Sequence, residues 1–151
     1  MENILSFKTK FGWINIIEEN QSIVSLSFGK VRNKGFSNNL NKLKKNIRLY
    51  FSGKKILSKN SLKILGNPIQ KKIWNELKKI PYGKTKSYGE IAKKVNTSAR
   101  YVGRVCGQNK LLLLIPCHRV VRSDGKLGGF SGLGGIKLKK SLLDLENKHF
   151  N

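Results

Sequence analysis

The chain opens with three runs rich in β-branched and aromatic residues, a composition typical of strands. The runs are residues 4–7, 11–17 and 23–28. Polar residues 18–21 separate the second run from the third and predict a turn between them. We therefore expect a meander of antiparallel strands at the start of the chain.

Helical periodicity replaces the strand pattern further along. Apolar positions recur at helical spacing across residues 38–51, and Gly53 is placed to end this amphipathic helix. The basic, irregular residues 54–66 then mark a domain boundary. We predict that residues 1–65 form a small α/β scaffold domain, since no residue there carries chemistry, and that residues 66–151 form a second domain.

The second domain is predicted to be mostly helical. Asn67 and Pro68 suit the N-cap and the first position of a helix, and an apolar stripe continues from them. Ser87 and Glu90 form a capping box for another short helix. A further helix opens at Ser98, and two short helices joined by a tight polar turn resemble a helix-turn-helix. An ordinary helical hairpin explains the same pattern, so DNA binding does not follow from it alone.

Three features lie beyond these helices. Apolar residues 111–115 form a run short enough to be a buried strand, which Pro116 would end because proline cannot donate to a sheet ladder. The Asp-Gly pair at 124–125 lies between short extended runs and predicts a hairpin, similar to the wing of a winged helix. A glycine-rich loop at residues 128–135 precedes a last helix over residues 136–147.

Charge adds a second kind of information. The formal net charge is +23, from 31 lysine and arginine residues against 8 aspartate and glutamate residues. Such a surface attracts polyanions, and lysine contacts to phosphates give salt-sensitive affinity without sequence preference. The abundance of Lys, Asn and Ile is also what an AT-rich genome produces, so charge alone leaves nucleic-acid binding undecided.

No apolar run approaches the roughly 20 residues of a membrane span and no leader peptide is recognisable, so we expect a cytoplasmic protein.

Cys117 is the candidate for chemistry, because it stands between Pro116 and the pair His118 and Arg119. Nearby positive charge and hydrogen-bond donors favour the thiolate, the reactive form of cysteine. A cysteine after an apolar run is more often a small buried hydrophobe, so chemistry alone leaves both interpretations open. Cys106 and Cys117 could pair, but a reducing compartment is expected, and no Cys/His cluster indicates a metal.

Residues 116–121, Pro-Cys-His-Arg-Val-Val, resemble the active-site signature of the O6-alkylguanine-DNA alkyltransferases, or methylated-DNA–protein-cysteine methyltransferases. Further segments are similar to this family in order and spacing. They are Pro-Tyr-Gly through Ser-Tyr at 81–88, Asn109, the loop with Ser131, and Leu-Leu-Asp-Leu-Glu at 142–146. The resemblance implies a small N-terminal ribonuclease-H-like α/β domain, followed by a mostly helical, winged-helix-like alkyltransferase domain.

The resemblance also implies a reaction. The family repairs DNA by moving an alkyl group from O6 of a flipped guanine to the cysteine, once per molecule and without a cofactor. Cys117 would be the acceptor, His118 would take its proton through a water, and Glu146 would polarise that histidine. Tyr88 would donate a hydrogen bond to the leaving base, and Asn109 would hold the active-site turn. Activity on O4-methylthymine and the range of alkyl groups stay open.

By the same resemblance, the helix-turn-helix would bind the minor groove of double-stranded DNA, with the protein as a monomer. Arg100 would fill the hole that the flipped base leaves. The expected DNA-contacting residues are Ser98, Ala99, Arg100, Tyr101, Arg119 and Ser131. Tyr101 departs from the family, which has a small residue there, and it could stack or wedge between bases. The glycine-rich loop is about two residues longer than the family's, and Phe130 stands where tyrosine is common.

Three other functions remain open. A binding module could recognise alkylated bases and recruit other repair proteins, but such relatives lack the cysteine. A winged-helix transcription regulator would explain the helix pair and the charge, but not residues 116–119. A cysteine hydrolase takes its histidine from a distant segment, and the second histidine of this chain is His149, near the end.

Overall fold

The computed structural model describes residues 1–55, 60–130 and 134–150. The chain divides into two compact units, Met1–Ile64 and Leu65–Asn151. The first contains the main sheet, and helices dominate the second, which confirms the mixed α/β class. No helix within the described ranges is long and apolar enough to cross a membrane.

The first unit is built on a sheet with the strand order β1-β2-β3-β4. The strands are β1 (Glu2–Thr9), β2 (Gly12–Glu19), β3 (Ser22–Phe28) and β4 (Ser61–Leu62). The first three pair antiparallel, which confirms the predicted meander. β4 pairs in parallel with β3 and was not predicted, because a strand of two residues carries no pattern of its own.

The turn between β2 and β3 is shorter than predicted. Glu18 belongs to β2, and the chain turns at Asn20 and Gln21, whose φ angles are 48° and 69°. Such left-handed angles match the two-residue turns that join antiparallel strands. Glu18 remains in the strand, only 4% exposed, because Asn3 and Asn39 donate hydrogen bonds to its carboxylate.

The predicted helix of the first unit is confirmed as α1 (Asn38–Phe51). Ser37 caps it by accepting a hydrogen bond from the backbone N–H of Leu40. The apolar stripe of the helix packs against β1 and β2, and burying such a side chain contributes about 1.5–3 kcal/mol. Its buried members are Leu40, Leu43, Ile47, Tyr50 and Phe51. The core of this unit therefore lies between helix and sheet, while its finer likeness to ribonuclease H stays a prediction.

Helices make up most of the second unit. They are α2 (Pro68–Lys78), α3 (Tyr88–Val95), α4 (Ala99–Cys106) and α5 (Gly135–Phe150). The predicted caps are present, since Asn67 and Ser87 each form a capping box and Ser98 accepts from the N–H of Tyr101. Asn96 adopts a left-handed φ of 60° between α3 and α4, so the tight turn of the predicted helix pair is formed.

The apolar run before the cysteine is buried, but the strand predicted there is wrong. Residues 112–114 form a turn, and Leu113 within it has a left-handed φ of 69°. Asn109 explains the difference, because Nδ2 donates to the Ile115 carbonyl at 2.8 Å and Oδ1 accepts from the Leu111 N–H at 2.9 Å. One side chain thus satisfies backbone groups that a neighbouring strand would otherwise pair with.

The hairpin predicted after the cysteine forms only its turn in the described residues. The Arg122 N–H donates to the Lys126 carbonyl, and the Gly125 N–H donates to the Arg122 carbonyl, at 2.8 and 3.0 Å. β6 (Val120–Val121) pairs in parallel with β5 (Lys86–Ser87) instead of with a returning strand. Since β5 leads directly into α3, this pairing holds the cysteine segment beside the helix pair.

Candidate active site

Cys117 begins a short 3₁₀ helix, Cys117–Arg119, and is 3% exposed. It forms part of the wall of a cavity of about 890 Å³ in the second unit, a volume within the range of ligand pockets. The other walls come from the helix pair, the turn after β6 and the glycine-rich loop. They include Tyr88, Arg100, Gly103, Cys106, Gly128 and Phe130.

Asn109 lies where the predicted role of holding the active-site turn requires it. Its side chain is 8% exposed and bonds to both ends of residues 111–115. Pro116 follows at once, and the Cys117 N–H donates to the Ile115 carbonyl at 2.8 Å. These bonds fix the point of the backbone from which the thiol side chain projects.

His118, Arg119 and Glu146 form a buried cluster. His118 Nε2 lies 2.6 Å from Glu146 Oε2, and both side chains are 1% exposed. Arg119 donates to both carboxylate oxygens, from Nε at 2.8 Å and Nη2 at 3.0 Å. The Gly83 N–H adds a hydrogen bond to Oε1 at 3.1 Å. Three residues from two separate segments of the chain thus supply hydrogen bonds that offset the burial of Glu146.

The charge states of this cluster follow from its contacts. Burial alone would raise the pKa of Glu146, but the hydrogen bonds and charges of His118 and Arg119 hold it well below its usual range. Burial lowers the pKa of His118, although the hydrogen bond and charge of Glu146 oppose the shift. An ionised carboxylate only accepts, so His118 Nε2 carries the proton at neutral pH and Nδ1 is bare. Among the described residues Nδ1 has no hydrogen-bond partner, and it is therefore available as a base.

The thiol environment differs from the expectation drawn from the sequence. His118 and Arg119 direct their side chains to Glu146, so they do not supply positive charge to the sulfur. Burial raises the pKa of Cys117 to about 11, while a hydrogen bond from Asn109 and the charge of Lys139 oppose the rise. The resting thiol is therefore protonated at neutral pH, and a nucleophilic role requires a base to remove its proton.

Tyr88 is the first residue of α3, and its side chain lines the cavity together with Cys117. Burial raises the pKa of Tyr88 to about 12, and the charges of ionised Cys106 and Cys117 add to the effect. The phenol keeps its proton at neutral pH, as a hydrogen-bond donor must. Its oxygen accepts a hydrogen bond from Lys139 Nζ at 3.2 Å.

Most of the predicted DNA-contacting residues cluster at the start of α4. Ser98, Ala99 and Arg100 are exposed and Tyr101 is partly exposed. Ala99 and Arg100 also line the cavity that contains the thiol, so this helix end and the candidate nucleophile share one opening. Ser131, the predicted DNA-contacting residue of the glycine-rich loop, lies outside the described residues.

Arg119 requires a correction. We expected it among the DNA-contacting residues, but its side chain is 12% exposed and its guanidinium is engaged inside the unit. Besides Glu146, it donates from Nη1 to the Ile80 carbonyl at 2.8 Å. Arg119 therefore stabilises the Glu146 carboxylate, because this buried group needs more hydrogen-bond donors than a single histidine provides.

Sequence reasoning missed Lys139. It is 0% exposed, although lysine is rarely fully buried in proteins. It lies on the inner face of α5 with Leu142 and Glu146, at helical spacing. Its position on the apolar face of the predicted helix could have indicated from the sequence that this lysine is buried.

Among the described residues, no group of three or more His, Cys, Asp or Glu side chains is placed to hold a metal ion.

Comparisons with known proteins agree on one family. Residues 68–148 match the family described as 6-O-methylguanine DNA methyltransferase, DNA binding domain. A methylated-DNA–protein-cysteine methyltransferase of Saccharolobus solfataricus is 36% identical over 146 residues, covering 93% of this chain and 92% of that protein. The protein of the same name from Mycolicibacterium paratuberculosis is 41% identical over 102 residues, covering 66% of this chain and 61% of that protein.

Solved structures agree with the sequence relatives. The crystal structure of the Mycobacterium tuberculosis O6-methylguanine methyltransferase superposes with a TM-score of 0.83 at 28% identity, over 99% of this chain and 94% of that chain. A crystal structure of M. tuberculosis OGT in complex with DNA gives a TM-score of 0.80 at 28% identity, over 97% and 93% of the two chains. The similarity thus extends over nearly the whole chain.

Proposed function

Because this chain belongs to the O6-methylguanine-DNA methyltransferase family, we propose that it repairs alkylated DNA by moving the alkyl group from O6 of guanine to Cys117. The observation that carries the proposal is the position of this thiol in a cavity that opens at the start of α4. Residues 66–151 would be the DNA-binding and methyl-acceptor domain, and residues 1–65 the scaffold. The protein would act as a monomer in the cytoplasm.

The cluster of His118 and Glu146 supports a defined proton path. His118 Nδ1 takes the thiol proton through a water, and the imidazolium that forms is stabilised by the ionised Glu146. The thiolate attacks the alkyl carbon, so a sulfur–carbon bond forms as the bond from carbon to O6 breaks. Tyr88 donates a hydrogen bond to the guanine as it gains the electron pair. The thioether is not hydrolysed, so each molecule acts once and needs no cofactor.

DNA recognition must include extrusion of the base, because O6 of a stacked guanine cannot meet a sulfur in line. The exposed Arg100 at the cavity mouth is suited to fill the vacated place in the duplex. Tyr101, next to it on α4, would wedge or stack against neighbouring bases. The net charge of +23 would supply salt-sensitive attraction to phosphates.

Intact-mass measurement tests the proposal. After incubation with a duplex that contains O6-methylguanine, the protein should carry one methyl group in place of one hydrogen, mapped to the Cys117 peptide. An identical duplex with unmodified guanine is the control. A protein that binds the modified duplex tightly without any mass gain would contradict the proposal and favour a module that only recognises alkylated bases.

Arg100→Ala should slow transfer from duplex DNA by roughly 10- to 100-fold, because filling the vacated stack offsets an unstacking cost of a few kcal/mol. Transfer from the free O6-methylguanine base should keep its rate, since no duplex is opened. The matched control is Arg104→Ala, which removes the same charge from the exposed side of α4 but does not line the cavity. Equal slowing by the two variants, or equal slowing on the free base, would contradict this role of Arg100.

A further inference from the structure

Arg122 lines the cavity that contains Cys117, and the proposed function gives it no role. Among the described residues, the charged side chains in the wall of this cavity are both arginines, Arg100 from α4 and Arg122 from the turn after β6. The Arg122 side chain is 57% exposed, so it lies at the mouth of the cavity and not at its floor. The mouth therefore carries positive charge from two separate elements.

We propose that Arg122 binds a DNA phosphate directly beside the extruded nucleotide and so holds the modified guanine in the cavity. The inference rests on the proposed function and assigns a second cation to the same opening. Arg122 is joined to Cys117 through the 3₁₀ helix and β6, so a phosphate held there lies on the side of the candidate nucleophile.

Extrusion of the base brings phosphates to the cavity mouth. The guanine has to enter the cavity for O6 to reach Cys117, while its sugar stays joined to a phosphate on each side. These two phosphates remain part of the strand, so they lie at the opening through which the base has passed. Arginine suits this position, because its planar guanidinium can donate two parallel hydrogen bonds to phosphate oxygens.

The turn that carries Arg122 is held by its own hydrogen bonds. The Arg122 N–H donates to the Lys126 carbonyl at 2.8 Å, and the Arg122 carbonyl accepts from the Gly125 N–H at 3.0 Å. Asp124 Oδ1 accepts from the Lys126 N–H at 3.0 Å. The backbone of Arg122 is thus placed before DNA arrives, which lowers the entropy cost of binding.

The present partner of the Arg122 guanidinium can be exchanged. Nη2 lies 3.1 Å from Asp124 Oδ2, and the Asp124 side chain is 44% exposed. An ion pair as exposed as this contributes little to stability, so a phosphate can replace the carboxylate. Arg119 differs, since it is 12% exposed and bound to the buried Glu146. The arginine of this segment that can reach DNA is therefore Arg122.

Neutralising single phosphates tests the inference. A methylphosphonate, which carries no charge, replaces the phosphate on either side of O6-methylguanine, or a distant phosphate of the same strand as the control. For the wild type, one of the two flanking replacements should raise the Kd of the duplex by roughly 5- to 20-fold. Arg122→Gln should raise the Kd of the unaltered duplex by a similar factor. In this variant the same flanking methylphosphonate should cost less than about twofold, because the cation that it faces is gone.

Lys126→Gln is the matched control variant. It removes the same charge from the same turn, but Lys126 does not line the cavity. The flanking methylphosphonate should therefore keep its full effect in Lys126→Gln. Arg122→Gln should also reduce the slope of log Kd against log salt concentration by about 0.9, the value for one lost phosphate contact.

The outcomes that contradict the inference are distinct from failure of the proposed function. A full methylphosphonate effect in Arg122→Gln would overturn the inference, because the phosphate would then have another partner. Wild-type binding that is insensitive to both flanking replacements would overturn it as well. Failure of the wild-type protein to acquire a methyl group would instead overturn the proposed function.

Discussion

Cys117→Ser is expected to abolish alkyl transfer, with a rate at least about 10,000-fold below the wild type. A serine hydroxyl fits the site but is far less acidic than a thiol, and the buried position, 3% exposed, disfavours an alkoxide further. The modified duplex should still bind, because the start of α4 and the basic surface are unchanged. Intact mass and duplex binding, measured on the same sample, check the two parts.

The second cysteine provides the matched control for this prediction. Cys106 is also buried and lines the same cavity, so it is the alternative acceptor. Burial raises its pKa to about 12, above that of Cys117, which makes its thiolate the harder one to form. Cys106→Ser should therefore still acquire one methyl group. A methylated Cys117→Ser protein would show that the acceptor had been wrongly assigned.

Glu146→Gln is expected to lower the transfer rate by roughly 100- to 10,000-fold and the free energy of unfolding by about 3–5 kcal/mol. The carboxylate accepts hydrogen bonds from His118, Arg119 and the Gly83 N–H, whereas an amide has one acceptor oxygen and turns its NH₂ group toward donors. Donation from this amide to Nε2 would move the His118 proton to Nδ1, which could then no longer act as a base. Single-turnover kinetics and denaturant unfolding measure the two effects.

Asp144→Asn is the control on the same helix. Its carboxylate is 65% exposed and pairs with Lys140 at 2.8 Å, an arrangement that contributes little to stability. We expect the free energy of unfolding to change by no more than about 0.5 kcal/mol, and the transfer rate to stay unaltered. If Asp144→Asn lowered the transfer rate and the free energy of unfolding as much as Glu146→Gln does, the cluster around Glu146 would have no special role.

The pH dependence of stability gives a further check on Glu146. Its pKa in the folded protein is below the ordinary value of 4.5, because hydrogen bonds from His118 and Arg119 outweigh the effect of burial. Its contribution is therefore complete above about pH 4.5 and is lost as the pH falls toward the folded pKa. The difference in the free energy of unfolding between the wild type and Glu146→Gln should therefore decrease as the pH drops from about 4.5 to 3. A constant gap over this range would contradict the ionised, buried carboxylate.

Local patterns in the sequence predicted most of the elements and the candidate nucleophile. The strands of the meander and the helix α1 follow from periodicity, and the helices after Asn67 and Ser87 follow from their caps. Such signals involve residues within one or two turns of each other, so the pattern and the structure it predicts occupy the same short segment. The motif around Cys117 is likewise contiguous, and it pointed to the family before any fold was known.

Only the tertiary structure decided which polar groups meet. Asn109 holds the apolar run in a turn, the Arg119 side chain binds Glu146, and Lys139 bonds to acceptors up to 51 residues away in the chain. Burial raised the pKa of Cys117 where the neighbouring residues suggested a thiolate. The physical reason is that the environment of a buried polar group is set by segments distant in the chain, because packing must supply partners for each donor and acceptor removed from water.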